Sequence, residues 1–138
     1  MNMKKLFFTL FVMAIGVVAV NAQDKNGPQF KFDDVTHDFG TIPEGPQAEY
    51  YFEFTNVGSE PLIIQNATAS CGCTTPEVPR QPILPEQKGK IKVVYNTQGR
   101  VGPFNKEIYI QSNAVNNGEG KERFELYIKG TVKSATEK

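Results

Sequence analysis

Apolar and polar residues alternate along most of this chain with a period of two, the signature of strands that bury one face. In "QAEYYFEFTNVG", Ala48, Tyr50, Phe52 and Phe54 fall on one side and Glu49, Tyr51, Glu53 and Thr55 on the other. "GKIKVVYNT" sets Ile91, Val93 and Tyr95 against Lys90 and Lys92. "FNKEIYIQS" sets Phe104, Ile108 and Ile110 against Glu107 and Tyr109. "RFELYIKGTV" sets Phe124, Leu126, Ile128 and Val132 against Arg123, Glu125, Tyr127, Lys129 and Thr131. "QFKFDDV" pairs Phe30 with Phe32, and "PLIIQNATA" adds a further apolar run. No segment after the first twenty-two residues carries helical periodicity.

Six or seven short strands follow from this pattern. Turns rich in Pro and Gly separate them: "TIPEGPQ", "NVGSEP", "PEVPRQPILPEQKG", "NTQGRVGPF" and "NNGEG". Short strands so punctuated predict an antiparallel sandwich, two sheets enclosing one core of Phe, Ile, Leu and Val. Parallel-sheet folds are disfavoured, because no crossover helix is in view. An antibody-type domain is disfavoured too. Its two cysteines sit on different strands beside a tryptophan. Here Cys71 and Cys73 are near neighbours and there is no tryptophan.

The opening "MNMKKLFFTLFVMAIGVVAVNA" changes the picture of where the chain works. Lys4 and Lys5 precede an apolar run from Leu6 to Val20 and a small-residue ending at Ala22. That is the charge, core and cleavage pattern of a secretory signal, and the run is short of the ~20 residues a spanning helix needs. The expected division is a signal peptide at 1–22, a short extension at 23–29, one sandwich domain at 30–132 and a tail at 133–138. No membrane span is expected after cleavage, and the expected location is periplasmic or extracellular. Cleavage leaves thirteen Lys and Arg against fifteen Asp and Glu, a net charge of −2 with histidine neutral. No basic patch suits nucleic acid. Met1, Met3 and Met13 all leave with the signal, which removes thioether ligands for copper.

Export places the Cys-Gly-Cys motif, Cys71, Gly72 and Cys73, in a disulfide-permissive compartment. A strand holds residues i and i+2 nearer ~6.5 Å apart, against a usual Cα separation of ~5.5 Å for a disulfide, so a bond within a strand is strained. A structural zinc site wants four ligands, and the chain offers two thiolates and His37, its only histidine. Haem attachment and thioredoxin-like chemistry lack their Cys-x-x-Cys motifs. Three readings stay open: a disulfide or redox-sensitive pair, two inert buried thiols, or metal ligation. The first makes the motif a local brace at a strand end, before the Pro-rich loop. No cofactor is called for.

"HDFGTIPEG", "YFEFTNVGSEPLII", "ASCGCTTPE" and "YNTQGRVGPFNKEIYIQSN", in that order, resemble a bacterial family of unknown function numbered 1573. The resemblance covers about residues 30–132. It implies an all-β fold, an immunoglobulin-like antiparallel β-sandwich of about seven strands, similar to Hydin-type and major-sperm-protein-type modules. It implies export as well, and brings no activity with it.

The remaining motif residues read structurally. In "HDFGTI", Asp38 and Gly40 suit a turn or bulge between edge segments, Phe39 anchors the core, and His37 hydrogen-bonds the backbone. In "FTNVGSEPL", Asn56 orders a turn through its side chain and Gly58 supplies positive φ. Tyr109 and Tyr127 lie on polar faces; a hairpin turning near Gly118 sets them directly opposite, as a stabilising pair or an exposed interface. The Pro-rich loop is a stiff connection between sheets or, in the functional alternative, a docking loop with Ile83 and Leu84 as anchors. No Gly-x-Ser-x-Gly, zinc-protease helix or paired-carboxylate motif is present. The expected function is a non-enzymatic binding or structural module acting through a sheet edge or face, its partner an unidentified protein or envelope component. The alternative is a thiol-based redox or metal-handling protein centred on Cys71 and Cys73.

Overall fold

The computed structural model describes residues 26–118 and 120–136. The expected signal at 1–22 lies outside the described residues. Those residues form eight strands: β1 (Phe30–Phe32), β2 (Thr36–Pro43), β3 (Ala48–Asn56), β4 (Ile64–Ala69), β5 (Thr74–Glu77), β6 (Lys88–Tyr95), β7 (Gly102–Ser112) and β8 (Phe124–Lys133). They build two four-stranded sheets, in the orders β1-β3-β6-β5 and β2-β8-β7-β4.

The alternation read from the sequence sets the two inner faces. Phe52, Phe54, Ile91, Val93 and Tyr95 of the first sheet meet Ile108, Ile110, Leu126, Ile128 and Val132 of the second, all buried. Full burial of each such side chain contributes about 1.5–3 kcal/mol. Phe104 stacks on Tyr95 with ring centroids 4.0 Å apart, joining the sheets at one end. Phe30, Phe32, Phe54 and Phe124 cluster at the other, with centroid separations of 4.8–5.3 Å.

Two strands depart from the expected set. Of the turn or bulge expected at "HDFGTI", the structure has the bulge, and the segment is most of a continuous edge strand around it. The register with β8 shifts between Asp38 and Thr41, and Gly40 takes a φ of 66° there. β5 contains Pro76, tolerated because β5 is an edge strand.

One pairing is not antiparallel: β2 runs parallel to β8, with Thr36 opposite Tyr127 and Ile42 opposite Val132. The crossover that parallel strands require needs no helix here, because everything from β3 to β7 supplies it.

The β7–β8 register also corrects the tyrosine pairing. Tyr109 opposes Glu125, and Tyr127 opposes Glu107, so the two rings are diagonal neighbours. The loop pivots about Asn117, whose Nδ2 donates to the carbonyls of Ala114 (3.3 Å) and Glu122 (3.0 Å). Moving a hairpin's centre by one residue moves every cross-strand partner by two.

Candidate interaction edge

A two-sheet sandwich leaves four edge strands, here β1 and β5 in one sheet, β2 and β4 in the other. Each presents unpaired N–H and C=O groups unless something blunts it. β1 is three residues long, and the side chain of Asn116 clasps it: Phe30 N–H donates to Asn116 Oδ1 at 2.9 Å, and Asn116 Nδ2 donates to Phe30 O at 2.7 Å. β5 has four residues, one of them Pro76. β4 has six, with a register shift between Ile64 and Asn66. β2, at eight residues, is the longest of the four.

The hydrogen-bond pattern of β2 shows which groups are free. Tyr127 N–H donates to Val35 O at 2.8 Å, and Thr36 and Asp38 stand opposite Tyr127 and Lys129. In a parallel ladder, that register sends the backbone groups of His37 to β8 and turns those of Thr36 and Asp38 outward. The bulge ends this regular stretch: Gly40 N–H is held by Asp38 Oδ1 at 2.8 Å.

Three half-buried rings line the inner side of the edge. His37, from β2, stacks on Tyr50 of β3 with centroids 3.6 Å apart and planes 9° from parallel. Phe39 meets His37 edge-on at 4.5 Å. Rings, rather than the expected backbone hydrogen bond, hold His37, and they tie the two sheets together. Burial lowers the His37 pKa, against the opposing pull of Asp38 and Asp34. Burial also raises that of Tyr50, helped by Asp34, Glu53 and Asp33. The rim is therefore acidic. Asp38, Gly40, Lys129 and Gly130 help line a shallow hollow of 390 Å³ beside the bulge.

The cysteines occupy the opposite side of the molecule. Cys71 and Cys73 lie at disulfide-bonding distance, with Cα atoms 5.3 Å apart. They stand in the turn from β4 to β5, not within a strand, so the Cα separation falls in the ordinary disulfide range. The turn is pinned at both ends. Ser70 N–H donates to Glu107 O at 2.9 Å, and Asn96 N–H donates to Cys73 O at 2.8 Å. It thus carries the chain from one sheet to the other. Cys73 is buried and Cys71 partly so. Among the described residues no group of three or more His, Cys, Asp or Glu is placed to hold a metal ion.

The tyrosines on the outer face of β7 and β8 are engaged with their own strands. Tyr109 donates its hydroxyl to Glu107, and Tyr127 donates to Glu125 at 2.5 Å. Arg123 lies 4.4 Å over the Tyr109 ring, and Lys121 pairs with Glu125 at 2.7 Å. The hydrogen bond to its glutamate raises the pKa of each tyrosine, and the bonds from Lys121 and Tyr127 lower that of Glu125. The Pro-rich loop divides its two anchors. Ile83 is core, bridged to Leu62 by paired backbone bonds, so it is not open to a partner; Leu84 is 47% exposed.

Asn56 is fully buried and uses its whole side chain. Its Nδ2 donates to Glu60 O and Ile83 O, both at 2.8 Å; its Oδ1 accepts from Gly58 N at 3.0 Å and Gln29 N at 3.3 Å. Gly58 is required for a different reason than expected. Its φ is not positive, but a Cβ there would meet Gly27 O at 2.1 Å and Gln29 N at 2.6 Å.

Sequence reading missed Asn116, Asn113 and Thr97. Asn113 accepts from Ile63 N at 2.8 Å and donates to Pro61 O at 3.1 Å. Buried Thr97 accepts from Gly45 N at 2.9 Å and donates to Pro46 O at 2.8 Å. The one available signal was the density of asparagine in "SNAVNNG", which promises side chains that bind backbone.

Two sheets of this order, closed around one core, define an immunoglobulin-like, PapD-like sandwich. The chain belongs to the family described as Protein of unknown function (DUF1573), which matches residues 30–132. No characterised protein matches the sequence at a significant level. A protein of unknown function from Porphyromonas gingivalis W83 has a similar structure, with TM-score 0.65 and 17% identity over 78% of this chain. This chain spans 48% of that one, about half its length. The ASH / PapD-like domain 7 of human CEP192 matches with TM-score 0.64 and 11% identity, over 89% of this chain and 98% of its own. The periplasmic chaperone SfaE matches with TM-score 0.51 and 9% identity, over 76% and 57%. At such identities the likeness is one of fold. Among the described residues no helix is long and apolar enough to cross a membrane.

Proposed function

We propose that this protein is an exported, non-enzymatic binding module that recognises another protein through the edge of β2. The observation that carries this reading is the uneven treatment of the four edges. A clasping asparagine closes β1, Pro76 interrupts the four-residue β5 and a register shift interrupts β4, whereas β2, the longest of the four, keeps outward backbone groups ahead of its own bulge, beside half-exposed rings. An edge left open over even a short stretch invites strand pairing with another chain, and retained edges of this kind are used for recognition. The fold shared with a periplasmic chaperone supports a protein partner. In this reading residues 1–22 direct export and are removed, and Cys71 and Cys73 are bonded in the oxidising compartment as a brace between the sheets.

The test is site-specific photocrosslinking in cells. A photoreactive residue replaces Thr36 in one variant and Gln65 of β4 in another. Each is also made with Cys71→Ser and Cys73→Ser. Adducts from position 36 that survive loss of both cysteines are the expected result. Adducts that vanish with the cysteines move the function to the thiols. Adducts confined to position 65 move it to the other edge. Intact mass of the recovered protein reads cleavage after Ala22 in the same samples.

A further inference from the structure

We infer that the partner presents to β2 a short, extended, basic segment. This rests on the edge-binding reading above and specifies its ligand. Three features of the edge converge on that chemistry.

The first is the ladder. Outward N–H and C=O groups of Thr36 and Asp38, bounded on one side by the bulge, offer pairing to an extended backbone for only a few residues. The second is charge. Asp33 and Asp34 lead into β2, Asp38 lies within it, and Glu53 stands on the neighbouring β3 strand. Asp34 and Asp38 both act on His37, and Asp33, Asp34 and Glu53 on Tyr50, so the ring set lies in a negative field although Asp38 and Glu53 point to outer faces. Two cations stand in register with these acids: Lys129 opposite Asp38, on the β8 side and away from the open edge, and Lys90 opposite Glu53 on β6. From Asp33 to Pro43 there is no Lys or Arg, the residues that most often guard an edge.

The third is the ring set. An added strand continues the inner and outer faces of its sheet, so every second side chain of the partner falls on the side of His37, Phe39 and Tyr50. The aliphatic stem of a Lys or Arg, or a small apolar residue, suits that position, and a cation near a ring face is attracted to it. A second copy of this chain does not fit. Antiparallel pairing of two β2 edges about Thr36 sets Asp34 of each copy against Asp38 of the other, and like charges across a ladder repel.

Three blocked hexapeptides test the inference on the purified protein: alternating Lys-Val, alternating Thr-Val and alternating Glu-Val. Binding is read by amide hydrogen exchange at Thr36 and Asp38. Lys-Val is expected to protect both amides, and to bind about tenfold more tightly than Thr-Val, the sum of two surface ion pairs. The preference should shrink with added salt. Asp34→Lys, which leaves the Asp38–Gly40 bond intact, should shift the preference toward Glu-Val. Equal protection by all three peptides overturns the basic partner while the edge reading stands. Failure of every peptide to protect Thr36 and Asp38 overturns both.

Discussion

Asn116 holds the backbone of Phe30 by both its groups, its Oδ1 accepting the N–H at 2.9 Å and its Nδ2 donating to the carbonyl at 2.7 Å. One amide side chain thereby replaces a residue of a neighbouring strand. It satisfies the outer edge of β1 from a loop that also ties Val115 N–H to Pro28 O at 2.9 Å. Asn116→Ala should strip both partners from Phe30 and cost about 1–3 kcal/mol. Urea unfolding gives the loss, and hydrogen exchange should show it first at β1. An unchanged exchange rate at Phe30 would mean the clasp is not what protects that edge.

Asn56→Asp should be worse than the near-isosteric change suggests. It puts an oxygen where Nδ2 now donates to the carbonyls of Glu60 and Ile83, in a fully buried position. The expected loss is about 2–4 kcal/mol, from two orphaned acceptors and a buried charge. Chemical denaturation near neutral pH measures it.

Gly58→Ala and Gly72→Ala make a matched pair. At Gly58 a methyl group meets the backbone of Gly27 and Gln29, so a loss of about 1–3 kcal/mol is expected. At Gly72 nothing lies within 4 Å and φ is not positive, so alanine should change stability by about 0.5 kcal/mol or less. Equal effects at the two sites would contradict the close approach of the N-terminal segment to the β3–β4 turn.

The cysteine pair encloses one residue, so a bond there removes little freedom from the unfolded chain. Chain entropy gives about 1.5 kcal/mol for such a small ring. The double serine variant should therefore stay folded and lose about that much. A loss of more than about 4 kcal/mol would show that the turn does more than brace.

Stability should depend on pH through His37. Burial sets its folded pKa below the unfolded 6.5, so the neutral ring belongs to the folded state. The stabilisation is complete above 6.5 and is lost as pH falls through the lowered folded value. Asp34→Asn removes a charge that favours the protonated ring, lowers the pKa further and steepens the loss. Urea midpoints at about pH 7.5 and about pH 5, with His37→Gln as the flat control, decide the matter.

The strands with unbroken alternation were legible from sequence alone. β3, β6, β7 and β8 each bury one face against the opposite sheet, and a period of two records that directly. β2 and β5 were hidden for physical reasons. The bulge at Asp38–Thr41 breaks the period of β2, and its partner β8 is remote in sequence. β5 is four residues long and contains proline. Of the candidate edge, His37, Asp38, Phe39 and Gly40 were visible as a motif. Their edge character was read too, but not their parallel pairing with β8, because that is a property of sheet order. Tyr50 was legible only as a core residue. Its stack on His37 depends on how the two sheets meet, and no local pattern encodes that.

The parallel pairing of β2 with β8 has a consequence for the chain as it is made. β3 can find β6, and β4 can find β7, while synthesis is still under way. β2 must wait for β8, the last strand of the domain to emerge. Until then both sides of β2 are open, and it is the segment most in need of a temporary companion. Truncation inside β8 would release two strands at once, one from each end of the domain.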